Sequence, residues 1–411
     1  MHPRARPGNV RGMSGWHDHH RTPLAGSACA GSALKRRLRA ARLSRQWDYP
    51  VPVRAPRLQA YAGISDRDHR CRIVHTLIHS WFPVTATFVA NLEHVGQPED
   101  MSDYDVVVIG GGAAGLSAGL VLSRARRKVL VVDSGTPRNA PAEHMHGFLS
   151  RDGLPPGELL ALGRDEVKGY GGEFLDGAVT ELVRRGTSGF WVLLSNGQRV
   201  SARRLLVATG LRDELPDIPG LRERWARDVL HCPYCHGYEV RDQQLGVLGG
   251  SPDTVRYAQM VRQWADDVVF FVPTGTLTQA QRSQLVSRAI KIVEGTVRRI
   301  LVEDDQLCGV ELDDGRTIRR VALFVPPRFV PNNDLLVGIG CDIDEDGWVV
   351  TGINGHTSVP GVWVAGNVAN PRAQVITAAG EGSAAAIALN ADLVDEDVRD
   401  AVRDFNEGFL T

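Results

Sequence analysis

The chain has 411 residues, 43% apolar and 23% charged, and a formal net charge of -1. This is an ordinary globular composition on a length too great for one hydrophobic core, so two or three domains are expected. The balance of charge gives no bulk reason to expect a nucleic acid or an anionic membrane as partner. Six cysteines over such a length do not make a disulfide framework. Cys29, Cys71, Cys308 and Cys341 stand apart and read as buried or incidental thiols. The longest apolar stretch, from Ile73 to Leu92, is broken by His75, His79 and Pro83 and falls short of a membrane span. No apolar export segment with a small-residue cleavage site follows the N-terminal arginines, so the cytoplasm is the expected location.

Residues 1–100 carry 15 Lys and Arg against 7 Asp and Glu, whereas the remainder carries 32 against 41. Hydrophobic periodicity there is weak. The one helix-like stretch, SALKRRLRAARLSRQW at 32–47, reads as a basic amphipathic helix able to touch membrane or nucleic acid, or as a disordered tail. A third reading is preferred: Met101-Ser-Asp-Tyr-Asp is itself a plausible beginning, and the leading hundred residues reflect a translation start placed too early. Residues 1–100 are accordingly expected to be a disordered extension.

Regular organisation starts at Tyr104. An apolar strand at 104–109 runs into Gly110-x-Gly112-x-x-Gly115 and a helix near 113–126. In such a turn the first glycine permits the tight bend, the second lets backbone approach a pyrophosphate, and the third allows helix-on-strand packing. The helix N-terminus then favours an anion. A second strand, KVLVVD, ends at Asp133, near the spacing expected for an acid that binds a ribose. Residues 134–165 are rich in turn formers (PRNAPAEHMHGF, GLPPGE) and are expected to run as loop over a cofactor. Alternating runs at 190–195 and 204–210 flank a hairpin turn, SNGQ.

The run HCPYCHGYE follows, with Cys232 and Cys235 two residues apart. Such a pair can close a small disulfide that accepts and returns two electrons. Two other readings compete with it. Haem attachment to C-x-x-C-H needs an oxidising compartment, and zinc held by four ligands within six residues is sterically awkward. The redox disulfide is preferred, and no metal is expected. His231 and His236 flank the pair, and either can take the proton released as dithiol becomes disulfide. Glu239 reads as a charge that stabilises the fold.

A second strand-turn-helix start lies at 244–253, with a further strand at 266–272 and an alternating region from Lys291 to Ile318. GVWVAGNV at 361–368 and a small-residue helix from about Ala373 to Leu393 close the chain. Two such starts suggest two Rossmann-type units, the second inserted into the first.

From Met101 onward the chain resembles low-molecular-weight thioredoxin reductases and their dithiol-oxidase relatives, which close disulfides in epidithiol natural products. The matching motifs are VVVIGGGAAGLSAG, PRNA…HMHGF, VATG, HCPYCHGYE, GVWVAGNV and QVITAAGEGSAAA. The resemblance implies an α/β fold of two Rossmann-like, FAD/NAD(P)-binding domains. The first is split over 101–218 and 328–411, and the inserted one, 219–327, carries the cysteine pair. It also implies FAD in the first unit, with Gly110, Gly112, Ala113, Ala114 and Gly115 at the pyrophosphate and Asp133 at the adenosine ribose. Gly366 and Asn367 would meet the ribityl chain, Asn367 standing where the reductases have an aspartate. Gln374 and Val375 would offer backbone to the isoalloxazine, with His144 and His146 nearby. By the same resemblance Cys235 faces the flavin, Cys232 exchanges with substrate, and His236 replaces an acid/base aspartate. A homodimer acting on a small-molecule or protein dithiol or disulfide is implied as well.

The departure from that pattern lies in the inserted unit. Its glycine fingerprint is degraded to Gly249-Gly-Ser-Pro-Asp253, where Pro252 removes an amide donor. The next strand ends Phe270-Phe-Val-Pro-Thr274, with neither an acid for a 2′-hydroxyl nor arginines for a 2′-phosphate. Loss of the nicotinamide site is the preferred expectation, with weak NADH or NADPH binding left open. The expected activity is dithiol oxidation by O2. The alternatives are an NAD(P)H-dependent thioredoxin-disulfide reductase and a flavin-binding sensor without turnover.

Overall fold

A computed structural model describes residues 103–186, 189–251 and 253–408, all within one compact unit, Thr87–Thr411. The expectations for residues 1–100, including the 32–47 stretch, Cys29 and Cys71, lie outside the described residues, and so does Pro252. Among the described residues no helix is long and apolar enough to cross a membrane.

The strand Asp103–Ile109 pairs in parallel with Val129–Asp133 on one side and Arg199–Val207 on the other. It is buried on both faces, which is why DYDVVVI reads as a nearly continuous apolar run rather than an alternating one. Glu173–Asp176 extends the sheet beyond Val129–Asp133. On the far side, Arg199–Val207 pairs antiparallel with Phe190–Leu194 along its first half and parallel with Val362–Val364 along its second. The SNGQ turn closes that hairpin, with Gly197 at φ +84° and Leu194 N donating to the Gln198 carbonyl at 2.9 Å.

Two helices cover one face. Ala113–Arg124 buries Ala114, Leu116, Ala118 and Leu122, and Val375–Gly408 buries Ala378, Gly382, Ala385, Ala386 and Leu389 against it. Small residues allow the close approach: a Cβ on Gly382 would stand 2.0 Å from the Ala114 carbonyl oxygen. The expected small-residue helix thus exists but continues well past Leu393.

From this sheet the chain leaves through Leu211–Glu214 and returns through Arg328–Pro331, and these two strands pair antiparallel as a ribbon. Between them lies a second, all-parallel sheet in the order Lys291–Glu294, Val268–Val272, Leu245–Leu248, Ala322–Phe324, Val229–Leu230. A three-stranded antiparallel sheet of Val297–Glu303, Gln306–Leu312 and Thr317–Arg319 adjoins it. The fold is α/β, with two Rossmann-like units and the second inserted into the first.

The two longest helices that the sequence reading does not anticipate are Pro156–Gly169 and Gln279–Ser287. Pro156–Gly169 occupies part of the segment expected as loop; its proline at the first helical position is a start signal. Gln279–Ser287 begins with a full capping box, Thr278 reciprocated by Gln281.

Candidate active site

The first glycine turn leaves open space at an uncapped helix start. Gly110 takes φ +106°, and a Cβ there would strike the Ala208 carbonyl oxygen at 2.4 Å. A Cβ on Gly115 would lie 1.8 Å from the Gly110 carbonyl oxygen, so helix and strand meet only because that position is bare. Gly112, by contrast, faces open space, where a Cβ would meet nothing within 4 Å. No side chain caps the helix that starts at Ala113, and its first turn holds no acid. Amide donors and dipole are therefore available to an anion.

Asp133 accepts the Gly111 amide at 3.1 Å and pairs with Arg164 at 3.2 Å, which fixes the carboxylate beside the turn. Asn367 donates through Nδ2 to the carbonyls of Asn370 (2.9 Å) and Ala373 (3.0 Å). Both amide protons are thus used, and Oδ1 remains as an acceptor, the capacity an aspartate would bring without its charge. Glu381, unremarked in the sequence, accepts from Gly366 N at 3.0 Å and Asn370 Nδ2 at 2.6 Å and so sets this loop. A carboxylate inside the run QVITAAGEGSAAA was the available signal. Gln374, just before Val375 opens the last helix, lies against Gly147, whose Cβ would stand 3.5 Å from Gln374 Oε1.

Cys232 and Cys235 form a disulfide, with Cα atoms 5.2 Å apart. Pro233 starts a single helical turn, Pro233–His236, with Cys232 as its N-cap. The Cys235 amide donates to Cys232 Sγ at 3.2 Å, a contact that strengthens if that sulfur becomes a thiolate. Gly237 is required next: a Cβ would lie 2.4 Å from the Pro233 carbonyl and 2.8 Å from the Trp264 ring. Tyr234 packs edge-on against Trp264 yet is 66% exposed, and Tyr238 is 64% exposed, so the turn is open to a partner.

The two histidines differ. Burial, then the charge of Arg138, pushes His231 down to about 4; Asp213 opposes this and His236 adds to it. Its Nε2 lies 3.3 Å from Arg138 Nη2, a poor disposition for a metal ligand. His236 is also held below the ordinary histidine range, first by burial and then by His146, with Glu239 pulling the other way. It therefore stays neutral, and able to accept a proton, at neutral pH. His146 bridges two carboxylates at 3.4 Å each, Asp152 through Nδ1 and Glu239 through Nε2. His146, next to Gly147 beside Gln374, thus reaches Glu239, three residues past the cysteine turn. His144 makes no comparable link there.

The second turn is built differently. A Cβ on Gly249 would strike the Phe270 ring at 2.4 Å, so this glycine serves strand packing. The Thr254 hydroxyl donates to the Ser251 carbonyl at 2.5 Å and accepts the Gly250 amide at 3.4 Å. Asp253 places an acid in the first helical turn. After Val268–Val272 the nearby Arg282 is ion-paired with Glu294. The Gly250 amide is engaged within the turn, and Asp253 adds negative charge at the helix start, which disfavours an anion.

Residues 104–382 match the family described as pyridine nucleotide-disulphide oxidoreductase. The chain is 58% identical to the protein of the crystal structure of HlmI, with a TM-score of 0.72, covering 74% of this chain and 96% of that one. A putative thioredoxin reductase TrxB from Bacillus anthracis is 33% identical, with a TM-score of 0.69, over 72% of this chain and 99% of that one. Thioredoxin reductase sirT of Leptosphaeria maculans is 30% identical over 315 residues, 72% of this chain and 96% of the relative. The chain belongs to the pyridine nucleotide-disulphide oxidoreductases. Within them it is an FAD-dependent, thioredoxin reductase-like enzyme, and the first turn fits that cofactor.

Proposed function

We propose that the protein is a dithiol oxidase that returns electrons to O2, cycling Cys232 and Cys235 between disulfide and dithiol. The observation that supports this reading is the contrast between the two glycine turns: the first offers uncapped amides over open space and no acid, the second engages its Gly250 amide with Thr254 and carries Asp253 in its first helical turn. On this reading Gly110, Gly112, Ala113, Ala114, Gly115, Asp133, Gly366, Asn367, Gln374 and Val375 hold FAD. When bound, FAD supplies a two-electron acceptor for the dithiol.

The chain's own part is thiol exchange. A substrate thiolate attacks Cys232 Sγ, making a mixed disulfide and releasing Cys235 as thiolate. The second substrate thiolate attacks the substrate sulfur of that mixed disulfide and releases Cys232. Substrate leaves as disulfide and the enzyme holds both electrons as a dithiol. Over a full cycle one dithiol and O2 become one disulfide and H2O2. His236, neutral beside the pair, takes the proton shed at each thiol. We therefore expect kcat/KM for dithiol to fall as acid pH protonates His236. His236→Asn should lower kcat/KM about 100-fold and flatten the acid limb of the pH profile; an unchanged profile would remove His236 from this role.

Several relatives bear the name thioredoxin reductase, which supports a second reading as an NAD(P)H-dependent disulfide reductase. Anaerobic mixing with NADPH separates the two. Flavin that stays oxidised over seconds, with peroxide released on adding dithiol in air, supports the oxidase. Rapid bleaching by NADPH supports the reductase. No peroxide and no bleaching by either donor would leave the sensor reading. The split of 101–218 with 328–411 around an inserted 219–327, assembly as a homodimer, and residence in the cytoplasm belong to the same proposal.

A further inference from the structure

Three segments distant in sequence meet at Arg138, in the loop after Val129–Asp133. Its Nε and Nη2 donate to the two carboxylate oxygens of Asp213 at 2.8 and 2.7 Å. Asp213 belongs to the outgoing strand of the ribbon, and its side chain is only 9% exposed. The same Nη2 lies 3.3 Å from Nε2 of His231, the residue before Cys232. The guanidinium covers the ring of Phe329, in the returning ribbon strand, at 5.1 Å. Phe329 meets His231 edge-on at 6.0 Å, and Trp225 stacks on that imidazole at 5.7 Å. An arginine offers only donors, so His231 Nε2 is the acceptor and the ring proton sits on Nδ1.

We propose that Arg138 is a positioning residue, which through His231 fixes the Cys232–Cys235 turn against the first sheet's loop for electron exchange. The inference rests on the redox reading of the cysteine pair. Arg138 works through the imidazole and the ribbon, not on sulfur. The planar fork suits it to the task, because one side chain satisfies a carboxylate bidentately and still reaches a second acceptor. His231 is then a structural acceptor, while His236 handles protons. The groups facing His231 are Arg138, Asp213 and His236, with Trp225 and Phe329 as aromatic walls and the Tyr257 hydroxyl on its carbonyl. Protonating His231 removes the acceptor and places two cations together, so the latch loosens as pH falls toward about 4.

The test uses flavin-loaded enzyme, anaerobic rapid mixing with dithiothreitol, and two readouts: bleaching of the flavin, and reduction of the disulfide followed by quenched alkylation and mass. Arg138→Gln is expected to slow bleaching about tenfold while the disulfide is reduced at the wild-type rate, and Arg138→Lys to recover only part of the loss. Unchanged bleaching in both variants would overturn the inference. A parallel fall of both rates would also overturn it, by assigning Arg138 to the fold alone. If Arg138→Gln does not fold, Arg138→Lys decides on the same criteria. Failure of the underlying redox reading looks different: dithiothreitol then leaves the wild-type flavin oxidised.

Discussion

Cys235→Ser is expected to lower dithiol-driven turnover by at least ~1000-fold, while its free Cys232 thiolate captures a ligand offered in the disulfide form as a stable mixed disulfide, releasing that ligand's other sulfur as a thiol. A serine hydroxyl cannot close or open a disulfide, so the two-electron store is gone. Cys232 nevertheless keeps its exchange chemistry. Its sulfur caps the short turn and receives the Cys235 amide at 3.2 Å, a hydrogen bond that the serine variant retains because it comes from backbone. Cys232→Ser should lose as much activity and capture nothing. Mass spectrometry of both variants after incubation with an activated disulfide distinguishes them. An adduct on Cys235 in the Cys232→Ser protein, with none on Cys232 in the other, would reverse the two roles.

The second large effect is expected at Gly115→Ala. An alanine Cβ would stand 1.8 Å from the Gly110 carbonyl oxygen and 3.3 Å from Val108 Cγ1. The obstructing atom is backbone, so no side-chain rotation relieves it and the whole helix Ala113–Arg124 must move away. Overpacking of this kind costs ~3 kcal/mol or somewhat more, or roughly 6–12 °C in Tm for a unit of this size. The helix would also carry its first-turn amides away from the pyrophosphate, so the protein should purify with little flavin. Full flavin content and a Tm within ~2 °C of wild type would show that the contact is relieved cheaply.

Features set by local rules could be read from the sequence. Gly110, Gly115 and Asp133 lie where the strand-turn-helix pattern puts them, because each obligation there is met by residues within one βαβ unit. The SNGQ hairpin and the buried parallel strands follow for the same reason. Two helix starts were readable but overlooked, the proline of Pro156–Gly169 and the Thr278/Gln281 box, since loop-like composition nearby masked them. The Arg138–Asp213–His231 cluster was not readable. Its members lie 75 and 93 positions from Arg138, and no period or spacing links them before the chain folds. The same holds for His146 bridging Asp152 and Glu239, a pairing in keeping with Glu239 as a charge that stabilises the fold. For Asn367 the sequence shows the amide but not its orientation, which depends on the carbonyls of Asn370 and Ala373.

The account stands or falls on whether the Cys232–Cys235 pair and the flavin share electrons. Anaerobic titration of the purified holoprotein with a dithiol, followed by flavin absorbance, measures this directly. Complete bleaching after two equivalents of dithiol per chain, one for the disulfide and one for the flavin, is the predicted result. Disulfide reduced after one equivalent with the flavin still fully oxidised, however much dithiol is added, would contradict it.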